Sequence, residues 1–297
     1  GISTLQIMLD KGSELDWFSS PLITTLAIVS FLSLGSLIIW ELGEEHPVID
    51  LRLFKLRNFA ISSICLTVGS FAFYIYVVIG PLWMQTQLGY KAMAAGEVMA
   101  FTGILALVCG PIFGAFIHRI DARWIATIGF VVMAFSCYIA ALFTTQVDMN
   151  TLIWSRVPVG AGIVGFFMPM TSISMSQLKP HEIAAGTGIT NFLRNIGGSV
   201  GTALSATMWG DYAARYHAQM VEHVNIGSIS FQEFAARAAY LGLDGAPLLA
   251  LIDRLIISEA YLLSTNFLML FSGAVMLLLL PVIWLAKPPF ASASGGH

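Results

Sequence analysis

Runs of about 20 consecutive apolar residues, each long enough to cross a ~30 Å hydrocarbon slab as a helix, recur along this chain and leave few folds open to it. Lipid offers no partner to a free backbone N–H or C=O, so only helices and closed barrels can cross it, and these runs are continuous rather than alternating. The sequence therefore predicts an all-α polytopic membrane protein. Of its 297 residues, 57% are hydrophobic and 10% charged, against about 25% charged in a soluble domain. A net charge of −3 with no basic stripe excludes nucleic acid as a partner and names the lipid bilayer instead.

Runs and breakers place seven spans, at residues 21–40, 59–83, 94–117, 124–143, 152–175, 184–209 and 261–286, with Trp40, Trp83, Trp124, Trp154, Trp209 and Trp284 near the ends as interfacial anchors. Alternating sides puts 41–58, 118–123, 176–183 and the tail 287–297 on one face, with Arg52, Lys55, Arg57, Arg119, Arg123, Lys179 and Lys287. The opposite short segments carry Lys11 and Lys91. The positive-inside rule makes the first face, and with it the C-terminus, cytoplasmic; the long 210–260 loop is expected outside. Within that loop, 231–240 and 248–257 have helical patterning. Residues 47–59 interleave apolar and basic side chains like a short helix lying on the inner leaflet. The chain opens on Gly1 and a short amphipathic stretch, and residues 1–20 read as an outer segment following a missing helix.

A charge at mid-membrane costs about 2.5–3.5 kcal/mol on insertion scales, so each one needs a reason. Three candidates stand out: Glu97, Arg156 and Arg194. Thr187, Asn191, Arg194, Asn195 and Gly198 follow the spacing of one helix face, which implies a stripe along a water-accessible pathway, with snorkelling as the alternative for the arginine. Arg156 lies four residues from the expected outer end of its span and has headgroups within reach as well as a pathway. Glu97 has the same two readings, with proton carriage as the functional one. Small-residue faces at Gly160 and Gly162, and at Gly197, Gly198 and Gly201, predict close helix packing. Cys65, Cys109 and Cys137 lie in apolar runs without ligand spacing, so no metal and no cofactor are expected. His118, His181, His217 and His223 fall in expected loops, which leaves no converging catalytic set for an intramembrane enzyme.

These pieces resemble the major facilitator superfamily, whose halves are related six-helix repeats with recurrent motifs. PIFGAFIHRIDAR, with Gly114, Arg119, Asp121 and Arg123, resembles its gating motif, although His118 replaces the usual acid. LIWSRVPVGAG, with Arg156, Gly160 and Gly162, is similar to the fourth-helix motif whose arginine is linked to proton transfer; Val159 replaces the usual glutamine. LRNIGGSVGTA, with Arg194, Gly197, Gly198 and Gly201, sits where the antiporter glycine motif lies. The extra first span resembles the fourteen-helix drug:proton antiporters, and the blocks at 5–21, 166–204 and 286–290 resemble their EmrB-type branch from Gram-negative inner membranes.

The resemblance implies a C-terminal six-helix repeat at 59–286, preceded by an extra transmembrane helix at 21–40 and a linker at 41–58. It further implies export of lipophilic small molecules by alternating access, driven by protons, with the N-terminal half of the transporter as partner. By the same resemblance a periplasmic adaptor protein and an outer-membrane channel complete the path. Export of a specific metabolite, such as a fatty acid or siderophore, is the alternative on the same fold.

Overall fold

A computed structural model describes residues 1–12, 15, 17–43, 50–117, 120–223, 229–240, 245–288 and 290. A short helix α1 (Ile2–Gly12) leads into α2 (Pro21–Gly43). The main bundle follows: α3 (Arg57–Thr86), α4 (Ala92–Phe116), α5 (Ala122–Ala140), α6 (Met149–Met175), α7 (Ile183–His223) and α9 (Ala246–Ile283), with α8 (Ile229–Tyr240) between the last two. Helix α3 packs along α6, α7 and α9, α6 lies between α4 and α5, and α9 closes against α5.

Among the described residues, six helices are long and apolar enough to cross a membrane: α2, α3, α4, α5, α6 and α9. The seventh expected span belongs to α7, which has the length but not the hydropathy. Its threonines, asparagines and Arg194 dilute the apolar content, and it holds its place by packing on α3 and α9.

The expected long loop is mostly helix. Helix α7 continues fourteen residues beyond Trp209, and α9 begins at Ala246 rather than near residue 261. The continuation DYAARYHAQMVEH is rich in good helix formers, so nothing stops the helix where the apolar run ends. At 1.5 Å per residue, the 41 residues of α7 span about 60 Å, twice a hydrocarbon slab. His217, read from sequence as a loop residue, thus lies on α7 and meets Asp253 of α9 at 3.2 Å; His223 also ends α7. Of the expected interfacial helix at 47–59, the first three residues lie outside the described ones. Of the rest, Leu51–Lys55 form a 3-10 turn whose Leu53 is buried with Phe59, Leu178 and Ile189, so it docks into the bundle, and residues 57–59 open α3.

In lipid, helices gain little from burying apolar surface against one another, so close contact has to hold them together. Glycines supply it. A Cβ on Gly129 of α5 would run into the backbone of Gly165 on α6, and one on Gly160 would meet the Thr102 carbonyl of α4. On α7, Gly197 and Gly201 lie against the carbonyls of Thr67 and Phe71 of α3, while Gly198 faces the Tyr74 ring. Gly162, on the α5 side of α6, is covered by Met133. Cys65 and Cys137 fill the core as small apolar groups.

Burial is uneven. In the most apolar stretch of α3, 56% of residues are buried, against 6% in α4, whose Phe101, Ile104 and Leu107 face outward. The Gly129–Gly165 crossing has no room to relax because backbone meets backbone. Gly129→Val is expected to destabilise the bundle by at least about 2 kcal/mol, read as a lowered unfolding midpoint in detergent; a wild-type midpoint would contradict this contact.

Candidate functional site

Three polar constellations interrupt the apolar bundle. The first is the stripe on α7. Thr187 returns its hydroxyl to the Ile183 carbonyl at 2.8 Å, the habit of threonine in an apolar helix. Asn191 and Asn195 are exposed, while Arg194 is half-buried with its guanidinium 5.6 Å from the centre of the Phe167 ring on α6. Phe167 belongs to an apolar cavity of about 650 Å³ that also touches Ile117, Ile163, Met168 and Met175. The stripe therefore sets a fixed positive charge at the rim of a greasy cleft. Part of the same face is covered by α1: the Ser199 hydroxyl donates to Gln6 Oε1 at 2.8 Å, and Gln6, Tyr74 and Asn195 line a cavity of about 390 Å³.

The second constellation is Arg156, and here the headgroup reading is corrected. Helix α6 starts at Met149 rather than Leu152, and the side chain turns inward: Arg156 is only 2% exposed. Its guanidinium lies over the Tyr76 ring of α3 at 4.8 Å. Gly80, one turn along α3, makes the room, since a Cβ there would come within 2.9 Å of Nη2. A desolvated cation–π contact is worth about 2 kcal/mol, less than the several kcal/mol that sealing an ion away from water costs. Glu97 on α4 is exposed.

The third constellation gathers at the end of the bundle where α3 begins and α9 finishes. Asn58, fully buried, donates from Nδ2 to the Lys287 carbonyl at 2.8 Å and to Ser176 Oγ at 3.0 Å, and its Oδ1 accepts from the Lys287 N–H at 2.8 Å. Arg57 Nε donates to the Leu285 carbonyl at 2.7 Å and Arg123 Nη1 to the Ala286 carbonyl at 3.2 Å. Three successive carbonyls of the segment just beyond α9 are thus taken up by other helices. Arg123 also lies over the rings of Trp284 (5.1 Å) and Phe290 (5.4 Å) and pairs with Asp121 at 2.7 Å. The bond from Arg123 holds the Asp121 carboxyl below its ordinary value of 3.8, so it stays ionised through the physiological range. Of the gating-motif residues, Arg119 lies outside the described residues, as does His118, and Gly114 approaches Met168.

Sequence reasoning missed Tyr76, Phe167 and Asn58, and singled out residues 286–290 through the family resemblance alone. The first two are ordinary aromatics in apolar runs, without a mark in the sequence. Asn58, a buried amide beside Arg57 at the start of a span, carried a signal that went unread.

The chain matches the family model described as Major Facilitator Superfamily over residues 14–202. It is 38% identical over 297 residues to the fatty acid resistance protein FarB of Neisseria gonorrhoeae, covering 100% of this chain and 59% of that protein. To the multidrug export protein EmrB of Escherichia coli (strain K12) it is 36% identical over 297 residues, covering 100% and 58%. The chain thus spans less than two thirds of the length of these relatives. In fold it is similar to an inward-facing bacterial homologue of the human lysosomal transporter Spinster, with a TM-score of 0.55 at 16% identity, covering 79% of this chain and 48% of that one.

The grip of Asn58 on the segment after α9 has a measurable weight. Asn58→Ala leaves the Lys287 backbone groups without these partners and is expected to lower stability by about 1–3 kcal/mol. Thermal unfolding in detergent measures it, and an unchanged midpoint would show that the segment does not brace the bundle.

Proposed function

The chain belongs to the major facilitator superfamily, and from that premise we propose that it forms the C-terminal repeat of a proton-driven exporter of hydrophobic compounds in a bacterial inner membrane. The observation that carries this reading is the 36% identity, along the whole of this chain, with a protein named for multidrug export. The apolar cleft beside Phe167 supports it, since a greasy cavity with few directional groups accepts varied lipophilic cargo. Arg194, Asn191, Asn195 and Thr187 line the pathway, and the opposing six-helix half meets the open faces of α4 and α7. Protons are the coupling ion, no cofactor takes part, and transport is secondary active.

The end carrying Arg57, Arg123 and Lys287 is cytoplasmic by its charge. The far ends of α7 and α9, joined by His217 and Asp253, then stand outside with α8, where a periplasmic adaptor and an outer-membrane channel dock. A second reading, export of fatty acids, is favoured by the 38% identity to a fatty acid resistance protein.

Drug accumulation in energised vesicles holding the complete transporter tests the proposal. Export of several unrelated lipophilic compounds should stop with a protonophore, and Arg194→Ala should abolish it while leaving insertion intact. Wild-type export by a normally inserted Arg194→Ala protein would remove the stripe from the pathway. If Glu97 carries protons, Glu97→Gln will shift the pH profile of export; an identical profile assigns Glu97 to the membrane interface.

A further inference from the structure

Helix α7 turns two different flanks to its surroundings. Thr187 and Arg194 lie on the flank beside α6, the first against Met175 Sδ and the second against the Phe167 ring. Asn195, Ser199 and Thr202, spaced i, i+4 and i+7, share the other flank, where α1 packs. At 1.5 Å per residue Asn195 stands about 21 Å short of Trp209 and Thr202 about 10 Å, so this flank runs at membrane depth. Lipid offers a polar side chain no hydrogen-bond partner there. Yet the Asn195 amide, the Tyr74 hydroxyl and the Thr202 hydroxyl make no hydrogen bond to the described residues. All three converge with Gln6 and Ser199 on the cavity of about 390 Å³.

Helix α1 walls this cavity and is pinned where it lies. Gln6 Oε1 accepts from Ser199, and Trp17, just beyond α1, donates its indole N–H to Thr207 Oγ1 at 3.0 Å, so α1 runs alongside α7 in the same direction. Trp17 has a φ of 51°, the left-handed region that bulky residues rarely enter. Its ring lies against Gly12, where a Cβ would come within 2.7 Å. Such a conformation persists only where its surroundings impose it, and here a bond across 190 positions of sequence does so. Gln6 and Asn195 also line a second cavity of about 400 Å³, with Leu5, Leu9, Phe192 and Ile196 among its other walls. Among the described residues neither lining holds a charged side chain. Two shared amides thus join a chamber of neutral hydrogen-bonding groups to an apolar one.

We propose that α1 and α7 enclose a second cargo subsite, which takes uncharged lipophiles bearing a hydroxyl or an amide, with Gln6 and Asn195 as its hydrogen-bonding pair. The proposal rests on the export reading above and narrows its cargo at one place along the pathway. An amide both donates and accepts, so two amides with a phenol and two hydroxyls match a hydroxyl, carbonyl or amide in whichever orientation it arrives. An ion finds no counter-charge there, and its lost hydration goes unreplaced. The apolar chamber takes the remainder of such a molecule. The Phe167 cleft differs in both respects, since it lies toward the Ile117 and Met175 end of the bundle and is bordered by the fixed charge of Arg194. Cargo that leaves the cleft toward the Trp209 end of α7 passes from a site with a cation at its rim to one without charge.

The test uses the complete transporter, with chloramphenicol as an uncharged probe carrying hydroxyls and an amide, and tetraphenylphosphonium as a cation with neither. In detergent, where nothing is transported, N-ethylmaleimide alkylation of Gln6→Cys is timed against the wild-type protein, whose Cys65 and Cys137 are buried. In proteoliposomes, the ratio of chloramphenicol export to tetraphenylphosphonium export is compared between the wild type, Gln6→Leu and Gln6→Asn. Chloramphenicol is expected to slow alkylation of Gln6→Cys several-fold while the cation does not. The export ratio is expected to fall about fivefold in Gln6→Leu, the weight of one hydrogen bond, and Gln6→Asn, which keeps an amide, retains most of it. Alkylation that millimolar chloramphenicol leaves unslowed, or that both probes slow alike, overturns the proposal. So does a wild-type export ratio in Gln6→Leu, because a pocket that cargo occupies without consequence is not on its path. Should Gln6→Leu fail to insert, Tyr74→Phe, which removes one oxygen from the same cavity, decides the export measurement by the same ratio. A wild-type transporter that exports neither probe defeats the export reading, and protection of Gln6→Cys in detergent then decides by itself whether the subsite binds.

Discussion

Backbone-to-backbone approach at glycine holds this bundle together. Lipid tails are as apolar as the side chains that face them, so a leucine gains little by leaving lipid for another helix. Short-range attraction and backbone complementarity remain, and both fade within an ångström of lost contact. Gly129 against Gly165 lets α5 and α6 touch, Gly160 brings α6 to α4, and Gly197 with Gly201 seats α7 on α3. Helix α6 is therefore fixed on two sides, and everything mounted on it, Arg156 and Phe167 included, inherits that position.

The same closeness decides where polar groups can go. A wide helix spacing would admit water to Arg156 and let it behave as a surface residue. The tight spacing around Gly80 and Gly160 seals it instead, with its guanidinium over the Tyr76 ring. Arg194 is treated differently because α7 turns its stripe outward, so its charge keeps partial access to solvent and rests on an aromatic face. Two arginines that look alike in sequence thus carry different burdens, one a desolvated ion over an aromatic ring and the other a rim charge beside an apolar cleft.

Much of the architecture was legible because span length and lipid chemistry are local properties of the chain. The runs beginning near residues 21, 59, 94, 124 and 152 became helices within a few residues of expectation. Where an apolar run met a helix-forming hydrophilic continuation, as after Trp209, hydropathy marked the end of the membrane but not the end of the helix. The polar stripe of α7 was readable from its period. The burial of Arg156 was not, since depth from a helix end says nothing about which way a side chain turns, and that direction depends on Gly80 and Tyr76 more than seventy residues earlier. The grip on residues 285–287 was equally hidden, because it joins chain positions 57, 58 and 123 to the far end of the sequence.

That grip sets which parts of the repeat can move independently. Asn58 ties the start of α3 to the end of α6 through Ser176 and to the segment after α9 through Lys287, while Arg123 ties α5 to the same segment. Four helix ends are braced at one level by bonds to backbone and to the half-buried Ser176 hydroxyl. At the opposite end α7 and α9 meet through Trp209 and Thr265, with His217 and Asp253 further out, and α3 and α6 carry internal prolines, each of which removes a helix hydrogen-bond donor. Movement of any one of these helices at the braced end therefore has to carry the others with it.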